Sequence, residues 1–189
     1  GGALKEKDFQ SEVTRSILWL EQQLGEPLHY MKIPDAPMGP NARFASVKGY
    51  DAFLVHRGRF IALELKLSKG PSISFDRVND VQDNFLSEVV QAGGLAWILV
   101  NFRVTWSQRE IKRRSELGTI SAFAVPIQQW LQTRADAMKG SLSYSWFETE
   151  AVRLPKIKTE RGIGWDLRPI LPLYHPLCRI PEPEVATCP

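Results

Sequence analysis

Two acidic residues and one lysine carry the chemical signal in this sequence. Twelve residues separate Asp51 from Glu64, and Lys66 follows Glu64 by two positions. Carboxylate oxygens are the ligands that Mg²⁺ prefers, and a bound divalent ion activates water and stabilises charge on a phosphate. The pattern therefore predicts a divalent-metal site with a lysine beside it. A structural ion pair between Lys66 and either acid explains the spacing equally well.

The three side chains need a hairpin to bring them together. Residues 48 to 66 are typical of two short strands joined by a tight turn at Arg57-Gly58. Since side chains alternate along a strand, Glu64 and Lys66 share the face opposite the leucines on either side of them. Charges in an otherwise apolar strand are costly to bury unless something compensates them. The hairpin could supply Asp51 from the neighbouring strand.

Two helices are predicted on either side of this hairpin. The first spans residues 5 to 24, with Glu12 at the edge of its buried stripe, where a solvated glutamate is the ordinary interpretation. The second runs from about residue 77 to 92 with Asp76 as its N-cap. Its predicted buried stripe, which also contains Gln82, consists of Val78, Val81, Phe85, Val89 and Ala92. Residues 95 to 100 then form an apolar strand buried on both faces.

The remaining segments divide the chain into one predicted domain, residues 1 to 171, and a proline-rich tail, residues 172 to 189. Within the domain, residues 28 to 45 are predicted to form an irregular loop because of their prolines. Residues 103 to 118 are a basic segment with a short helix. Further predicted elements are a strand at 120 to 125, a helix at 126 to 134, and edge strands at 142 to 146 and 152 to 157.

Composition restricts the class of protein. The chain has 189 residues, of which 43% are hydrophobic and 24% charged, and its formal net charge is +3. Any nucleic-acid surface must therefore come from local clusters of cations. No apolar run is long enough for a membrane span, and Gly1-Gly2 resembles an expression scar, so we expect a cytoplasmic protein without a membrane partner. The two cysteines lie in the tail without a CxxC pair, which predicts free thiols.

The acid and lysine pattern resembles the PD-(D/E)xK nuclease core. The segments VHRGRFIALELK and SFDRVNDVQDNFLSEVVQAGGLAWILVNF resemble the RecU-type Holliday junction resolvases. The resemblance covers residues 43 to 103 well and residues 123 to 131 more faintly. It implies an α/β fold with a restriction-endonuclease-like core, in which a central mixed sheet is flanked by helices. It leaves a bacterial or a phage origin open.

The resemblance also implies a function. The chain is expected to be an endodeoxyribonuclease that resolves four-way DNA junctions by paired nicking, acting as a homodimer. Asp51, Glu64 and the Leu65 carbonyl would hold Mg²⁺, with Mn²⁺ as a substitute, and Lys66 would position water. Gln82 would orient water or the scissile phosphate, as the family's glutamine does, or else bond the backbone. Glu12 matches a further acid that an early helix often supplies.

The DNA contacts are expected from cations, each of which could equally be an ordinary solvated residue. The predicted contacts are Arg43, Lys48, Arg57, Arg59, Lys69, Arg109, Lys112 and Arg113. The loop at 28 to 45 occupies the position of the family's junction-entering stalk, although its sequence differs. Two alternatives stay open: a repair or restriction-type endonuclease acting on duplex or flap DNA, and a non-catalytic DNA-binding module in which Asp51, Glu64 and Lys66 are only an ion-pair network.

Overall fold

A six-stranded mixed sheet forms the centre of the protein, in a computed structural model that describes residues 5–35, 48–113 and 120–172. The sheet order is β1-β2-β3-β5-β6-β8, and only β3 and β5 are parallel. Its strands are β1 (His29–Lys32), β2 (Ala52–His56), β3 (Arg59–Ser68), β5 (Leu95–Phe102), β6 (Ser121–Pro126) and β8 (Val152–Leu154). The predicted α/β class, with a central mixed sheet flanked by helices, is confirmed.

Five helices and two small sheets complete the described residues. The helices are α1 (Glu6–Leu24), α2 (Asp80–Gln91), α3 (Gln108–Arg113), α4 (Ile127–Asp136) and α5 (Tyr144–Glu150). The additional strand pairs are β4 (Ser72–Ser74) with β7 (Ser141–Ser143), and β9 (Lys156–Thr159) with β10 (Gly162–Trp165). Among the residues described, no helix is both long enough and apolar enough to cross a membrane.

The sheet separates two apolar cores. On one face, α1 packs through Phe9, Val13 and Leu20 against side chains that include Leu63 and Leu65 of β3. The core on the other face includes Ala62, the next residue along β3, together with residues of α2, α4 and α5. Because consecutive strand residues point to opposite faces, the even-numbered residues Glu64 and Lys66 point to the α2 side.

The hairpin formed by β2 and β3 turns where the sequence predicts. Arg57 and Gly58 both have positive φ, +48° and +73°, which is the conformation of the tight turns that match the twist of paired strands. The register pairs Ala52 with Leu63 and His56 with Arg59. At this tip, Glu26 accepts hydrogen bonds from Arg57 and lies 2.8 Å from His56 Nε2, so the turn is tied to the chain that follows α1.

The start of α2 differs from the prediction. Asp76 lies in a separate turn of 3₁₀-helix (Phe75–Arg77), and Asn79 is the N-cap of α2. The face of α2 that is buried consequently differs from the predicted one. Leu86 is fully buried, whereas Val81 and Phe85 are 40% and 39% exposed. The prediction of a buried Val81 and Phe85 was therefore wrong, because it assumed one helix continuing through the 3₁₀ turn.

Several other segments also differ from the sequence-based expectations. The predicted irregular loop, 28 to 45, contains the edge strand β1, and the rest of it beyond residue 35 lies outside the described residues. Residues 144 to 146 are helical in α5 instead of extended, and the predicted strand 152 to 157 is divided between β8 and β9. The basic segment does not begin at Arg103, which is buried in an ion pair with Glu12. Residues 114–119 and all of the tail beyond residue 172 also lie outside the described residues.

Candidate active site

Asp51 and Glu64 lie opposite each other on adjacent strands. The register of β2 and β3, continued by one residue beyond Ala52, places Asp51 opposite Glu64. Two hydrogen bonds fix this position: the Asp51 N–H donates to the Leu63 carbonyl at 3.0 Å, and the Leu65 N–H donates to Asp51 Oδ2 at 2.9 Å. Both acids are buried. The structure thus brings together the two carboxylates that the sequence singles out.

Each carboxylate has a lysine partner. Lys66 Nζ lies 2.8 Å from Glu64 Oε1, and Lys48 Nζ lies 2.8 Å from Asp51 Oδ1. Lys48 also reaches Asp35 Oδ1 at 2.9 Å, so it bridges two acids. The ion pair that the sequence left as an alternative is therefore present, together with a second pair that the spacing did not reveal.

Glu64 is the electrostatically unusual member of the cluster. Its burial and the nearby charge of Asp51 raise its pKa from 4.5 to about 7, although Lys66 and Lys48 oppose the shift. Within the part of the chain that the structure describes, Glu64 Oε2 is buried and has no hydrogen-bond partner. An unpaired buried carboxylate oxygen is costly, so this atom is the position in the cluster where a cation would be most strongly favoured.

Gln82 connects Glu64 to the start of α2. Its Nε2 donates to Glu64 Oε1 at 2.6 Å, while its Oε1 accepts from the Asn79 N–H at 3.1 Å. The Asn79 side chain in turn accepts from the Gln82 N–H at 2.9 Å, which completes a reciprocal capping box. Both ends of the Gln82 amide are thereby used, and the side chain is held with its donor toward the acid.

The residues of the cluster suit a magnesium ion. Asp51 and Glu64 offer oxygen ligands, and the Leu65 carbonyl lies on the same side of β3 as its N–H, which bonds Asp51. Among the described residues, no group of three histidine, cysteine or acidic side chains could hold a metal. Backbone or water oxygens would therefore have to complete the coordination, as is usual for Mg²⁺.

Glu12 does not join the two carboxylates. It belongs to α1, on the opposite face of the sheet, where it is buried and bonded to Arg103. The Trp165 indole Nε1 donates to Glu12 Oε2 at 2.9 Å. These contacts tie α1 to β10 and to the end of β5, and the burial of Glu12 shows that the solvated alternative is incorrect. A contribution of Glu12 to a metal site remains an untested prediction that has no contact to support it.

Two of the predicted DNA contacts, Lys48 and Lys69, belong to the described residues that flank the acids in sequence. Lys48 contacts Asp51, and Lys69 is exposed in the loop that follows β3, three residues beyond Lys66. Arg43 lies outside the described residues. A phosphate approaching the acids could therefore meet either lysine.

Two other predicted DNA contacts lie away from the acids. Arg57 and Arg59 are at the hairpin tip, the far end of β2 and β3 from Asp51, and Arg57 is paired with Glu26. The helix α3 exposes its three predicted cations, which are Arg109, Lys112 and Arg113. Their binding to DNA remains a prediction.

Two participants in the cluster were missed by sequence reasoning. Asp35 bonds Lys48, and the backbone N–H of Asn79 holds the Gln82 amide in its orientation. A signal for Asn79 was present, because an Asn followed three residues later by Gln, as in Asn79-Asp80-Val81-Gln82, is the pattern of a capping box. Nothing in the sequence connected Asp35 to Lys48, since the pair closes across a segment of twelve residues that the structure does not describe.

Comparison with known proteins finds matches among solved structures. No protein-family model and no curated protein matches the chain. A solved structure that it resembles is Hjc, a Holliday junction resolvase from the archaeal hyperthermophile Archaeoglobus fulgidus. The two chains are 12% identical with a TM-score of 0.43, and the match covers 76% of this chain and 94% of Hjc. We therefore base the functional proposal on the residues and geometry of this chain.

Proposed function

We propose that the chain is a Mg²⁺-dependent endodeoxyribonuclease that resolves four-way DNA junctions. The observation that carries the nuclease proposal is the pair of buried carboxylates, Asp51 and Glu64, on adjacent strands beside Lys66 and Gln82. One Glu64 oxygen has no partner among the described residues. In a purely structural ion-pair network, we would expect both oxygens of a buried acid to have hydrogen-bond partners.

Each residue of the cluster has a task in phosphodiester hydrolysis. Asp51, Glu64 and the Leu65 carbonyl would hold Mg²⁺, with Mn²⁺ as a substitute. When bound, the ion supplies Lewis-acid stabilisation of negative charge and activation of water. Lys66 would donate to a phosphate oxygen or to water; its ammonium lies 2.8 Å from Glu64 Oε1, which supports this role. Gln82 holds Glu64 in a fixed orientation.

We propose a four-way junction as the substrate because residues 43 to 103 resemble the RecU-type resolvases in sequence. A four-way junction has two-fold symmetry and needs two paired nicks, so a homodimer with two sites is the natural assembly. Specificity would come from contacts to the DNA backbone and from DNA shape. The corresponding location is the cytoplasm of a bacterium or of a phage-infected cell.

Two alternatives lead to different results. A repair or restriction-type endonuclease would use the same residues on duplex or flap DNA. A non-catalytic DNA-binding module is favoured by one specific observation, namely that each acid is already paired with a lysine, Lys48 with Asp51 and Lys66 with Glu64. In that module the four residues would form only a structural ion-pair network.

A cleavage assay separates these functions. End-labelled four-way junction, flap and linear duplex are incubated with wild type and with Asp51→Asn, in Mg²⁺, in Mn²⁺ and in EDTA. Paired nicks in the junction that need the metal and Asp51 would support the proposal. Preferential cleavage of duplex or flap would support the first alternative. DNA binding by the folded wild type without nicking of any substrate in either metal would support the non-catalytic module.

A further inference from the structure

A basic groove lies between α1 and the hairpin of β9 and β10. It has a volume of about 660 Å³, and four cations line it: Arg15, Lys32, Lys158 and Arg161. Glu160 is the one acid among the described lining residues. None of these four cations belongs to the set predicted from the sequence to bind DNA.

The groove is built from three separate elements. Arg15 comes from α1, Lys32 from the end of β1, and Lys158 and Arg161 from the β9–β10 hairpin. The hairpin is fixed against α1, because Arg15 donates to the Ile163 carbonyl at 3.3 Å. The cations therefore share one surface although they come from three separate parts of the sequence.

Three of the four groove cations have no salt-bridge partner. Among the described residues, Lys32, Lys158 and Arg161 form no salt bridge, and all three are exposed. Because the four cations outnumber Glu160, the one acid among the described residues that line the groove, they repel each other and favour an anionic ligand. The Thr14 hydroxyl lines the same groove and can donate to a phosphate oxygen while it accepts from the Tyr30 hydroxyl, 2.9 Å away.

The groove has the length of a nucleic-acid contact. Its α1 side extends from Ser11 to Gln22, which corresponds to about 16 Å of helix at about 1.5 Å per residue. Over that distance one strand of duplex DNA presents about five phosphates, because they follow each other every 3.4 Å or so along the axis. Exposed Leu18 lies between the polar groups and offers an apolar surface to the sugars.

One end of the groove adjoins the candidate active site. Lys32 pairs with Ala52 in the register of β1 and β2, and the Ile33 N–H donates to the Asp51 carbonyl at 2.8 Å. The backbone of Lys32 is therefore about one strand spacing, roughly 5 Å, from the start of β2. The groove itself lies on the α1 face, whereas Glu64 points to the α2 face, so DNA would pass the β1 edge between the two.

We propose that this groove, on Arg15, Lys32, Lys158 and Arg161, binds the sugar-phosphate backbone of a DNA arm that flanks the cleaved bond. The inference rests on the proposed function for its choice of DNA as the anion. The contacts are to phosphates, so the groove contributes affinity and position and is insensitive to base sequence.

Binding measurements without cleavage test the groove separately from catalysis. Fluorescence anisotropy of a labelled four-way junction in EDTA, over a range of salt concentrations, compares wild type with Lys158→Gln, Arg161→Gln and the double variant. The plot of log K against log salt has a negative slope, and each lost phosphate contact should reduce its magnitude by about 0.9. At 0.1 M salt this corresponds to about an eightfold weaker affinity per contact.

Two further variants make the result specific. Lys156→Gln is the matched control, because Lys156 is exposed on the same strand as Lys158 but does not line the groove. Lys32→Gln tests the groove from a different element, with an expected loss similar to that of Lys158→Gln. Thermal unfolding verifies that each variant is folded.

The outcomes distinguish the groove from the enzymatic proposal. Unchanged affinity and slope in the double variant and in Lys32→Gln, or an equal loss in Lys156→Gln, would refute the groove even if wild type cleaves junctions. A loss confined to the groove variants would support the groove even if wild type cleaves nothing, in which case only the nuclease proposal fails.

Discussion

The hydrogen bond between Asp51 and the Leu65 N–H gives the sharpest prediction. Asp51 Oδ2 accepts this bond at 2.9 Å in a buried position, beside the end of β2. Asp51→Ala removes the acceptor and leaves the N–H unsatisfied, which costs about 1 to 3 kcal/mol. For a chain of this size, that corresponds to a fall in Tm of about 2 to 12 °C.

Asp51→Asn separates the structural role of this residue from its chemical role. Asparagine keeps the volume and offers an amide oxygen to the Leu65 N–H, so the stability should stay within about 1 kcal/mol of wild type. The amide nitrogen would take the place of Oδ1 and face Lys48 Nζ, donor against donor, so Lys48 would turn to its other partner, Asp35, 2.9 Å away. The charge needed to hold Mg²⁺ is lost, and we therefore expect both variants to be inactive although only Asp51→Ala is destabilised.

Thermal and urea unfolding in EDTA, together with the junction cleavage assay, measure both effects. The reasoning on the backbone bond is refuted if Asp51→Ala is as stable as wild type. The reasoning on the metal is refuted if Asp51→Asn cleaves at the wild-type rate. Each result can occur without the other, so a failure identifies which role of Asp51 was misassigned.

Three other perturbations test the surroundings of the cluster. The pKa of Glu64 is raised from 4.5 to about 7, so between these pH values the metal-free folded protein binds more protons than the unfolded chain. Its free energy of unfolding should therefore fall by up to about 3 kcal/mol from pH 4.5 to 7. Urea unfolding should show a smaller fall in Glu64→Gln, and an identical pH dependence would contradict the shift. Gln82→Ala should destabilise α2 by about 1 kcal/mol and also slow nicking, because it removes the donor to Glu64. Asn79→Ala should destabilise α2 by a similar amount but leave the nicking rate largely unchanged. Equal nicking rates for the two variants would refute the role of the Gln82 donor. A Cβ on Gly49 would lie 2.3 Å from Phe85 Cγ, so Gly49→Ala should cost about 1 to 3 kcal/mol, with partial rescue by Phe85→Ala in a double-mutant cycle; additive losses would disprove the clash.

The sequence predicts the hairpin and its acids because their signals are local. Gly58 permits the turn, and the period of two places Glu64 and Lys66 on one face without knowledge of the rest of the fold. The position of Asp51 follows from the same register. Short-range rules alone are therefore enough to predict the hairpin and the position of its acids.

The sequence does not predict contacts that depend on the packing of distant elements. The Glu12 partner Arg103 is 91 positions away, and a residue at the edge of a helix stripe does not reveal which face of a sheet it meets. Strand β1 lies between prolines and exposes most of its side chains, so it has no apolar alternation. Asp76 and Asn79 are both good N-caps, and the later start is favoured by Gln82, which completes the capping box with Asn79, and by the burial of Val78.

The dual use of the Gln82 amide has a consequence for variation at this position. A glutamate there would preserve the capping box, since its carboxylate can also accept from the Asn79 N–H. It would, however, replace the donor to Glu64 with a second negative charge. Gln82→Glu would thus keep the helix start while removing the donor that aligns Glu64, so the capping role and the alignment role of this side chain can be separated by exchanging one amide group for a carboxylate.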